Sequence, residues 1–150
     1  MIEVKSETEM QQFGERLGSV IVGGEVLELA GDVGAGKTTL VRGIARGMGI
    51  DEAIQSPSFT INRVYDAPDG RRLVHYDFYR LADPGIMRDE LQETLGDKQV
   101  VVVIEWAGTV EQTLPVDRLT ILITSPAENE RHLELTAGGE VSQKLAEACA

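Results

Sequence analysis

The chain has 150 residues, of which 42% are hydrophobic and 26% charged, a balance typical of one globular domain with its own core. With 25 acidic and 14 basic residues its net charge is −11, which disfavours direct, tight binding of nucleic acid by this chain alone. The longest apolar run, Val100 to Ile104, is too short for a membrane helix, the N-terminus does not resemble a signal peptide, and Cys149 is the only cysteine, so we expect a cytoplasmic protein without disulfides.

The first predicted elements are a helix and a strand. Ser6 to Glu9 has the pattern of a capping box, with Ser at the N-cap and Glu three residues later. Apolar residues then recur at helical spacing, at Met10, Phe13, Leu17 and Ile21. Val26 to Ala30 is predicted to be a short strand, because glycines bound it closely on both sides.

A second amphipathic helix is predicted after the glycine-rich segment that begins at Gly31. Its inward side is formed by Leu40, Val41, Ile44 and Met48, and Gly49 fits the residue that ends a helix in the left-handed conformation. Two strands, Thr60 to Tyr65 and Arg72 to Phe78, flank a turn at 67–70 and predict a β-hairpin.

The rest of the chain continues to alternate helices and strands. A short helix is expected from Asp83-Pro84, and Val100 to Ile104 reads as a central strand covered on both faces. Leu119 to Ile123 and His132 to Thr136 alternate as more exposed strands, and a terminal helix follows from about Val141 to Ala148. We therefore predict one α/β domain over residues 1–150, with three α/β/α layers and a mostly parallel central sheet that carries an antiparallel hairpin.

The segment GDVGAGKT, Gly31 to Thr38, matches the phosphate-binding P-loop pattern at every specified position. Gly34 and Gly36 allow backbone N–H groups to turn towards phosphate oxygens, and the start of the following helix adds partial positive charge. Lys37 would reach the β- and γ-phosphates, and Thr38 would offer its hydroxyl to Mg²⁺. The loop therefore predicts a P-loop NTPase fold that binds a nucleoside triphosphate with magnesium.

Two residues are candidates for the second magnesium ligand, which usually ends a central strand. Glu105 ends the buried run VVVVIE, and Asp77 follows the alternating strand in LVHYDFYR. Strand-end carboxylates are also common as helix caps or surface charges, so the residues alone leave the choice open. The absence of an N-K-x-D sequence favours ATP over GTP.

Four motifs together resemble the bacterial TsaE family of ATPases. They occur in the family order: GDVGAGKTT at Gly31 to Thr39, SPSF at Ser56 to Phe59, HYDFYRL at His75 to Leu81, and IEWA at Ile104 to Ala107. The resemblance covers nearly the whole chain, and the second pair of motifs is much more specific than the P-loop.

The resemblance implies a role for each matching residue. Thr38 and Glu105 would hold Mg²⁺, Ser56 to Phe59 would be a switch loop, and Lys37, Asp77 and Glu105 would serve hydrolysis. The residues implied in nucleotide binding are Ser6, Asp32, Gly34, Ala35, Gly36, Lys37, Thr38, Thr39, Asn129 and Arg131. Structural interpretations stay open for several of these: Ser6 is also a helix cap, and Arg131 fits an exposed position on an edge strand. His75 and Trp106 could simply be packing residues.

The function implied by the resemblance is ATP hydrolysis that drives formation of the threonylcarbamoyl group on adenosine 37 of tRNAs reading codons that begin with adenine. TsaD and TsaB would be the partners, and tRNA would be contacted only through their complex. Two alternatives remain: a small-molecule P-loop kinase, and a regulator that binds ATP without hydrolysing it. Against the kinase, Ala107 to Val116 has no arginine that could serve a lid.

Overall fold

The computed structural model describes residues 1–31, 34–54, 62–78, 85–106, 108 and 110–149. The strands in chain order are β1 (Ile2–Val4), β2 (Val26–Ala30), β3 (Asn62–Asp66), β4 (Arg72–Asp77), β5 (Val100–Glu105), β6 (Leu119–Ala127) and β7 (Glu130–Ala137). The helices are α1 (Glu7–Val20), α2 (Lys37–Gly47), α3 (Gly85–Leu95) and α4 (Glu140–Cys149). Within these ranges no helix is long and apolar enough to cross a membrane.

All strands of the described residues belong to one seven-stranded sheet in the order β1-β7-β6-β2-β5-β4-β3. The four neighbours β6, β2, β5 and β4 run parallel to one another, which confirms the predicted mostly parallel centre. The outer strands pair antiparallel: β3 with β4, and β7 with both β6 and β1. The sheet therefore combines a parallel centre with antiparallel margins.

The predicted hairpin is confirmed as β3 and β4, which pair from Asn62 opposite Tyr76 to Asp66 opposite Arg72. Its turn is held by a hydrogen bond from Gly70 N–H to the Ala67 carbonyl, and Gly70 has a φ of 92°. That backbone conformation strongly favours glycine, which explains why the turn could be located from the sequence.

Other strand predictions were incomplete. Strand β1 has only three residues and was not predicted, because so short a strand shows no readable alternation and only Val4 is buried. Strands β6 and β7 are longer than expected and form a second antiparallel hairpin. The residues at their far ends are mostly polar and exposed, so the sequence pattern predicted strands that were too short.

Helices α1 and α2 both begin and end close to their predicted limits. Ser6 is the N-cap of α1, and its hydroxyl accepts a hydrogen bond from Glu9 N–H at 3.1 Å. The Glu9 carboxylate accepts from the backbone of Lys5, one residue before the cap. Helix α2 ends at Gly47 with Met48 as its C-cap, and Gly49 follows with a φ of 85°, as predicted.

The two later helices also match their predictions. Helix α3 runs over Gly85–Leu95 and buries Leu91, whereas the predicted start at Asp83-Pro84 lies outside the described residues. Helix α4 begins at Glu140, where Asp117 accepts hydrogen bonds from the backbone N–H groups of Val141 and Ser142. These bonds satisfy amides that have no acceptor within the helix.

The core consists of two apolar clusters separated by the sheet. Alternate residues of β5 contribute to different clusters: Val101 and Val103 pack with α1, α2 and α4, while Val102 and Ile104 pack with α3. Every residue of β5 is buried, which confirms the prediction of a strand covered on both faces.

Helices α1 and α2 contact each other backbone to backbone through glycines. A Cβ on Gly18 would overlap the Ile44 carbonyl oxygen, and one on Gly43 would overlap the Gln11 carbonyl oxygen. Residues later in α1 contact residues later in α2: Gly14 lies against Leu40, and Gly18 lies against Ile44. The two helices therefore run in the same direction. Their first turns therefore lie side by side at the same edge of the sheet.

This close contact predicts the effect of Gly18→Ala. At an exposed helix position, alanine stabilises a protein by about 1 kcal/mol relative to glycine. At Gly18 the added methyl group must displace α2, and such overpacking costs about 1–3 kcal/mol. We expect a lower free energy of unfolding in urea. Gln12→Ala, on the exposed side of α1, is the matched control and should change it little. A Gly18→Ala protein as stable as the wild type would contradict the packing.

Candidate functional site

The site lies at the carboxyl ends of the two central strands β2 and β5. Leu29 near the end of β2 is in register with Glu105, the last residue of β5. The P-loop leaves β2 at Gly31 and enters α2 at Lys37. In open α/β sheets this edge is where ligands bind, at the point where neighbouring strands are connected in opposite directions. Asp32 and Val33 lie outside the described residues.

The P-loop backbone presents N–H groups at the start of α2. Gly34 and Gly36 have φ values of 84° and 106°, and a Cβ at Gly34 would meet no atom within 4 Å. Gly36 is the N-cap, and no side chain in the described part of the chain caps this helix. Leu40 N–H is the first to bond within the helix, to the Gly36 carbonyl, so earlier amides remain available to an anion.

Lys37 is buried beneath the loop and is held by three groups. Its Nζ donates to the Gly31 carbonyl at 2.6 Å and lies 3.8 Å from Glu105 Oε1. It also lies 4.3 Å from the centre of the Trp106 ring, within the range of a cation–π interaction. Only 6% of the lysine is exposed, so these contacts replace the hydration that its charge requires.

Glu105 is the buried carboxylate of the site, and its two oxygens have different partners. Oε1 faces Lys37, whereas Oε2 lies 2.5 Å from His75 Nε2. Glu105 is 4% exposed and His75 is fully buried. A negative and a positive charge are thus paired at the end of the central strand, with a histidine on the far side of the carboxylate.

Trp106 turns the chain immediately after Glu105. Its φ of 58° makes it the only non-glycine residue with positive φ among the residues that the structure describes. A bulky side chain in this left-handed conformation is strained. The conformation sets the Trp106 ring against Lys37, so its role is more than the general packing that the sequence allowed.

Asp77, the other candidate metal ligand, lies next to Glu105. The two residues are in register on adjacent parallel strands, and Phe78 N–H donates to the Glu105 carbonyl at 3.1 Å. Asp77 is half-buried. The structure thus brings both predicted carboxylates to one edge, and Glu105 is the one whose side chain approaches Lys37.

A cleft of about 330 Å³ opens above the start of α2. It brings together residues from three distant parts of the sequence: the start of α1, the P-loop and the β6–β7 turn. The predicted nucleotide-binding residues that line it are Ser6, Gly34, Ala35, Gly36, Thr39, Asn129 and Arg131. The volume falls within the range of small-molecule sites, roughly 300–1,000 Å³.

Arg131 connects the β6–β7 turn to the P-loop. Its Nε donates to the Ala35 carbonyl at 3.2 Å, and its Nη1 lies within hydrogen-bond distance of three carbonyls of its own turn, at Ala127, Glu128 and Glu130. The guanidinium therefore fixes one wall of the cleft against the other. No local pattern in the sequence indicates that these two segments are in contact.

The remaining predicted residues fall into three groups. Asp77 and Glu105 lie at the strand ends described above, and Lys37 and the half-buried Thr38 lie in the first turn of α2. Asp32 and the predicted switch loop Ser56 to Phe59 lie outside the described residues. Sequence reasoning did not assign to the site the lining residues Val4, Lys5, Glu7, Met10 and Glu128. Met10 was predicted as a core residue, and it is both buried and part of the cleft.

A second group of potential metal ligands lies on the β1–β7 margin. Glu3, Glu130 and His132 place ligand atoms within 4.8 Å of one another, and all three are exposed or half-buried. Exposed carboxylates often approach a histidine without any metal, and the His132–Glu130 contact of 3.1 Å accounts for the grouping. We assign no role to it.

Comparison with known proteins identifies one family. The family model described as threonylcarbamoyl adenosine biosynthesis protein TsaE matches residues 4–133. The tRNA threonylcarbamoyladenosine biosynthesis protein TsaE of Bacillus subtilis is 41% identical over 129 residues, covering 83% of this chain and 77% of that protein. The protein of the same name from Streptomyces coelicolor is 37% identical over 136 residues, covering 87% and 92%.

A solved structure is also similar. The crystal structure of YdiB from Bacillus subtilis superposes with a TM-score of 0.81 at 34% sequence identity, covering 99% of this chain and 91% of that one. The similarity extends over the whole mixed sheet and its helices.

The contacts of Arg131 predict a local change in Arg131→Ala. Loss of its bonds to the turn and to Ala35 should increase amide hydrogen exchange at 34–36 and 128–130, because local opening depends on such local bonds. Exchange within β5 should not change. Arg118→Ala is the control, since Arg118 pairs with Glu28 in the same sheet. Equal exchange in wild type and Arg131→Ala would show that the guanidinium does not hold the cleft.

Proposed function

The chain belongs to the TsaE family, and on this premise we propose that it is a magnesium-dependent ATPase acting in the formation of threonylcarbamoyladenosine at position 37 of tRNA. The relatives are named for this biosynthesis. In our proposal residues 1–150 form one cytoplasmic P-loop ATPase domain of three layers. It hydrolyses ATP to drive the cycle of a TsaD–TsaB complex and does not modify tRNA itself.

The observation that carries the proposal is the buried pairing of Lys37 with Glu105 beside the P-loop. The two groups are 6% and 4% exposed, and 3.8 Å separates Nζ from Oε1. A buried ion pair contributes little net stability compared with apolar residues of similar size. The pair lies at the carboxyl edge of the sheet, next to glycines that expose backbone amides. This position is explained if Lys37 binds an anionic ligand and Glu105 binds a cation that accompanies it.

The described residues of the P-loop and the cleft are suited to binding a nucleoside triphosphate. Gly34 leaves open space above the loop, and the uncapped start of α2 provides N–H donors and partial positive charge. Lys37 would exchange the Gly31 carbonyl for phosphate oxygens, which are stronger partners for an ammonium group. Ser6, Asn129 and Arg131 line the opposite side of the same cleft, where they would contact the nucleoside end.

The chemistry of the donor set also fits magnesium. Mg²⁺ prefers hard oxygen ligands and usually combines one or two protein oxygens with phosphate oxygens. The Glu105 carboxylate and the Thr38 hydroxyl are such ligands, and both lie at the P-loop edge. When bound, the ion would neutralise charge that develops on the phosphate oxygens.

The chain's own contribution to hydrolysis is positioning and charge. Lys37 and the amides of α2 would stabilise the transferred phosphoryl group, which needs little covalent help from a protein. Asp77, adjacent to Glu105, would act in hydrolysis or in the response to partners. We assign no general base, and we expect slow hydrolysis that a partner protein completes.

The charge of the chain supports the indirect contact with tRNA. A net charge of −11 repels phosphate-rich polymers over most of the surface. A subunit that supplies energy can dock on protein partners and leave RNA binding to them. The same charge predicts that the chain alone binds tRNA weakly.

One assay separates the proposal from the two alternatives. Phosphate release from ATP is measured with and without the TsaD–TsaB complex, and with candidate alcohols as acceptors. The proposal predicts release to water that increases with the complex. Transfer to an alcohol would instead indicate a kinase, and ATP binding without turnover, even with the complex, would indicate a sensor.

The lysine contacts predict the effect of Lys37→Ala. Charged hydrogen bonds contribute about 2 kcal/mol, so loss of the ammonium group should weaken ATP binding about thirtyfold. Isothermal titration calorimetry gives the affinity, and Arg42→Ala, an exposed position on α2, is the control. Unchanged affinity in Lys37→Ala would remove the loop from the mechanism.

Glu105→Ala should separate binding from turnover. We expect nucleotide affinity in the absence of Mg²⁺ to be nearly unchanged, while Mg²⁺-dependent turnover falls about a hundredfold, corresponding to about 3 kcal/mol of transition-state stabilisation. Glu28→Ala, which removes a β2 carboxylate paired with Arg118, is the matched control. Full activity of Glu105→Ala would transfer the metal role to Asp77.

A further inference from the structure

His75 is a buried residue that the proposed mechanism does not yet use. It lies in β4, is fully buried, and shares a strand face with Leu73, which packs in the cluster with α1 and α2. The sequence allowed it to be an ordinary strand residue. Its surroundings in the structure favour a more specific role.

The hydrogen bonding of His75 is directed at one atom of the site. Nε2 lies 2.5 Å from Glu105 Oε2, whereas Nδ1 is buried and has no hydrogen-bond partner in the described structure. A histidine kept only for stability would be expected to satisfy both nitrogens, as nearly all buried polar groups do. An apolar side chain at this position would avoid the unsatisfied atom.

The bond also indicates which ring nitrogen is the donor. An ionised carboxylate only accepts hydrogen bonds, so Nε2 carries the proton and donates it to Oε2. In the neutral ring Nδ1 then has a lone pair and no N–H, which reduces the cost of leaving it without a partner. His75 is thus a hydrogen-bond donor to Glu105.

The register explains why His75 reaches Glu105 from the side. His75 is opposite Val103, two residues before Glu105, and residues two apart on a strand share a face. The contact is therefore diagonal across the two parallel strands. It engages Oε2 and leaves Oε1 as the oxygen 3.8 Å from Lys37 Nζ.

We propose that His75 is a positioning residue for Glu105: by holding Oε2, it presents Oε1 to Lys37 and to the phosphate-binding loop. This rests on the proposed role of Glu105 as a magnesium ligand. Fixing a long side chain such as glutamate costs rotamer entropy. With His75 in place, this entropy is lost during folding. It therefore does not reduce the free energy of binding magnesium with nucleotide.

The test compares a variant that keeps the donor with one that removes it. In His75→Gln the amide nitrogen can reach the place of Nε2, whereas His75→Leu is apolar and has no donor. The matched control is Tyr76→Phe, at the next buried residue. Burial raises the pKa of the Tyr76 hydroxyl, which stays protonated and donates to Thr94 at 3.0 Å on the opposite face of the sheet.

Affinity for a non-hydrolysable ATP analogue is measured by calorimetry in EDTA and across a magnesium titration. For His75→Leu we expect the half-saturating Mg²⁺ concentration to rise about tenfold, the usual effect of losing a partner of a metal ligand, with affinity in EDTA unchanged within about twofold. His75→Gln and Tyr76→Phe should match the wild type. If His75→Leu does not fold, His75→Asn, whose amide is too short to reach Oε2, takes its place.

Two results would overturn the proposal: a magnesium requirement in His75→Leu equal to the wild type, or equal losses in His75→Leu and His75→Gln. A wild-type protein that does not bind the analogue would instead refute the proposed function. In that event the emission of Trp106, the only tryptophan, decides the positioning role in nucleotide-free protein, because Trp106 follows Glu105 and contacts Lys37. A shift in His75→Leu but not in His75→Gln supports positioning, and identical emission in all variants overturns it.

Discussion

The burial of the Lys37 charge is the constraint on which the rest of the structure depends. An ammonium group removed from water needs a carbonyl, a counter-charge or an aromatic face in place of its hydration, and Lys37 has one of each: Gly31, Glu105 and Trp106. Each partner comes from the end of a central strand. The strained Trp106 backbone is part of this arrangement, because it turns the ring towards the lysine.

The arrangement of the helices extends the same site outward. Because α1 and α2 run in the same direction and touch through glycines, the N-cap of α1 lies beside the N-cap of α2. Ser6 and Gly36 therefore line one cleft, although 29 intervening residues separate them in the chain (positions 7 to 35). Arg131 supplies the third side by bonding the β6–β7 turn to Ala35. A substitution that separates the helices should disturb the cleft as well as the core.

Features coded by local chemistry were predictable from the sequence, and features that depend on pairing were not. The Ser6 cap, the P-loop glycines and the apolar run Val100 to Ile104 of β5 are local patterns, and each was found at its predicted place. The contact of His75 with Glu105 depends on the register of β4 against β5, which no short pattern specifies. The three-residue strand β1 was missed for a related reason, since it is defined by its partner β7.

The most direct measurement is a structure of this chain with Mg²⁺ and a non-hydrolysable ATP analogue. We expect the phosphates to lie against the amides of Gly34 to Thr39, with Lys37 Nζ moved from the Gly31 carbonyl to a phosphate oxygen and Glu105 still bonded to His75. The nucleoside end should occupy the cleft lined by Ser6 and Arg131. A nucleotide bound elsewhere, with Lys37 still paired to Gly31 and Glu105, would show that the P-loop is not the nucleotide site.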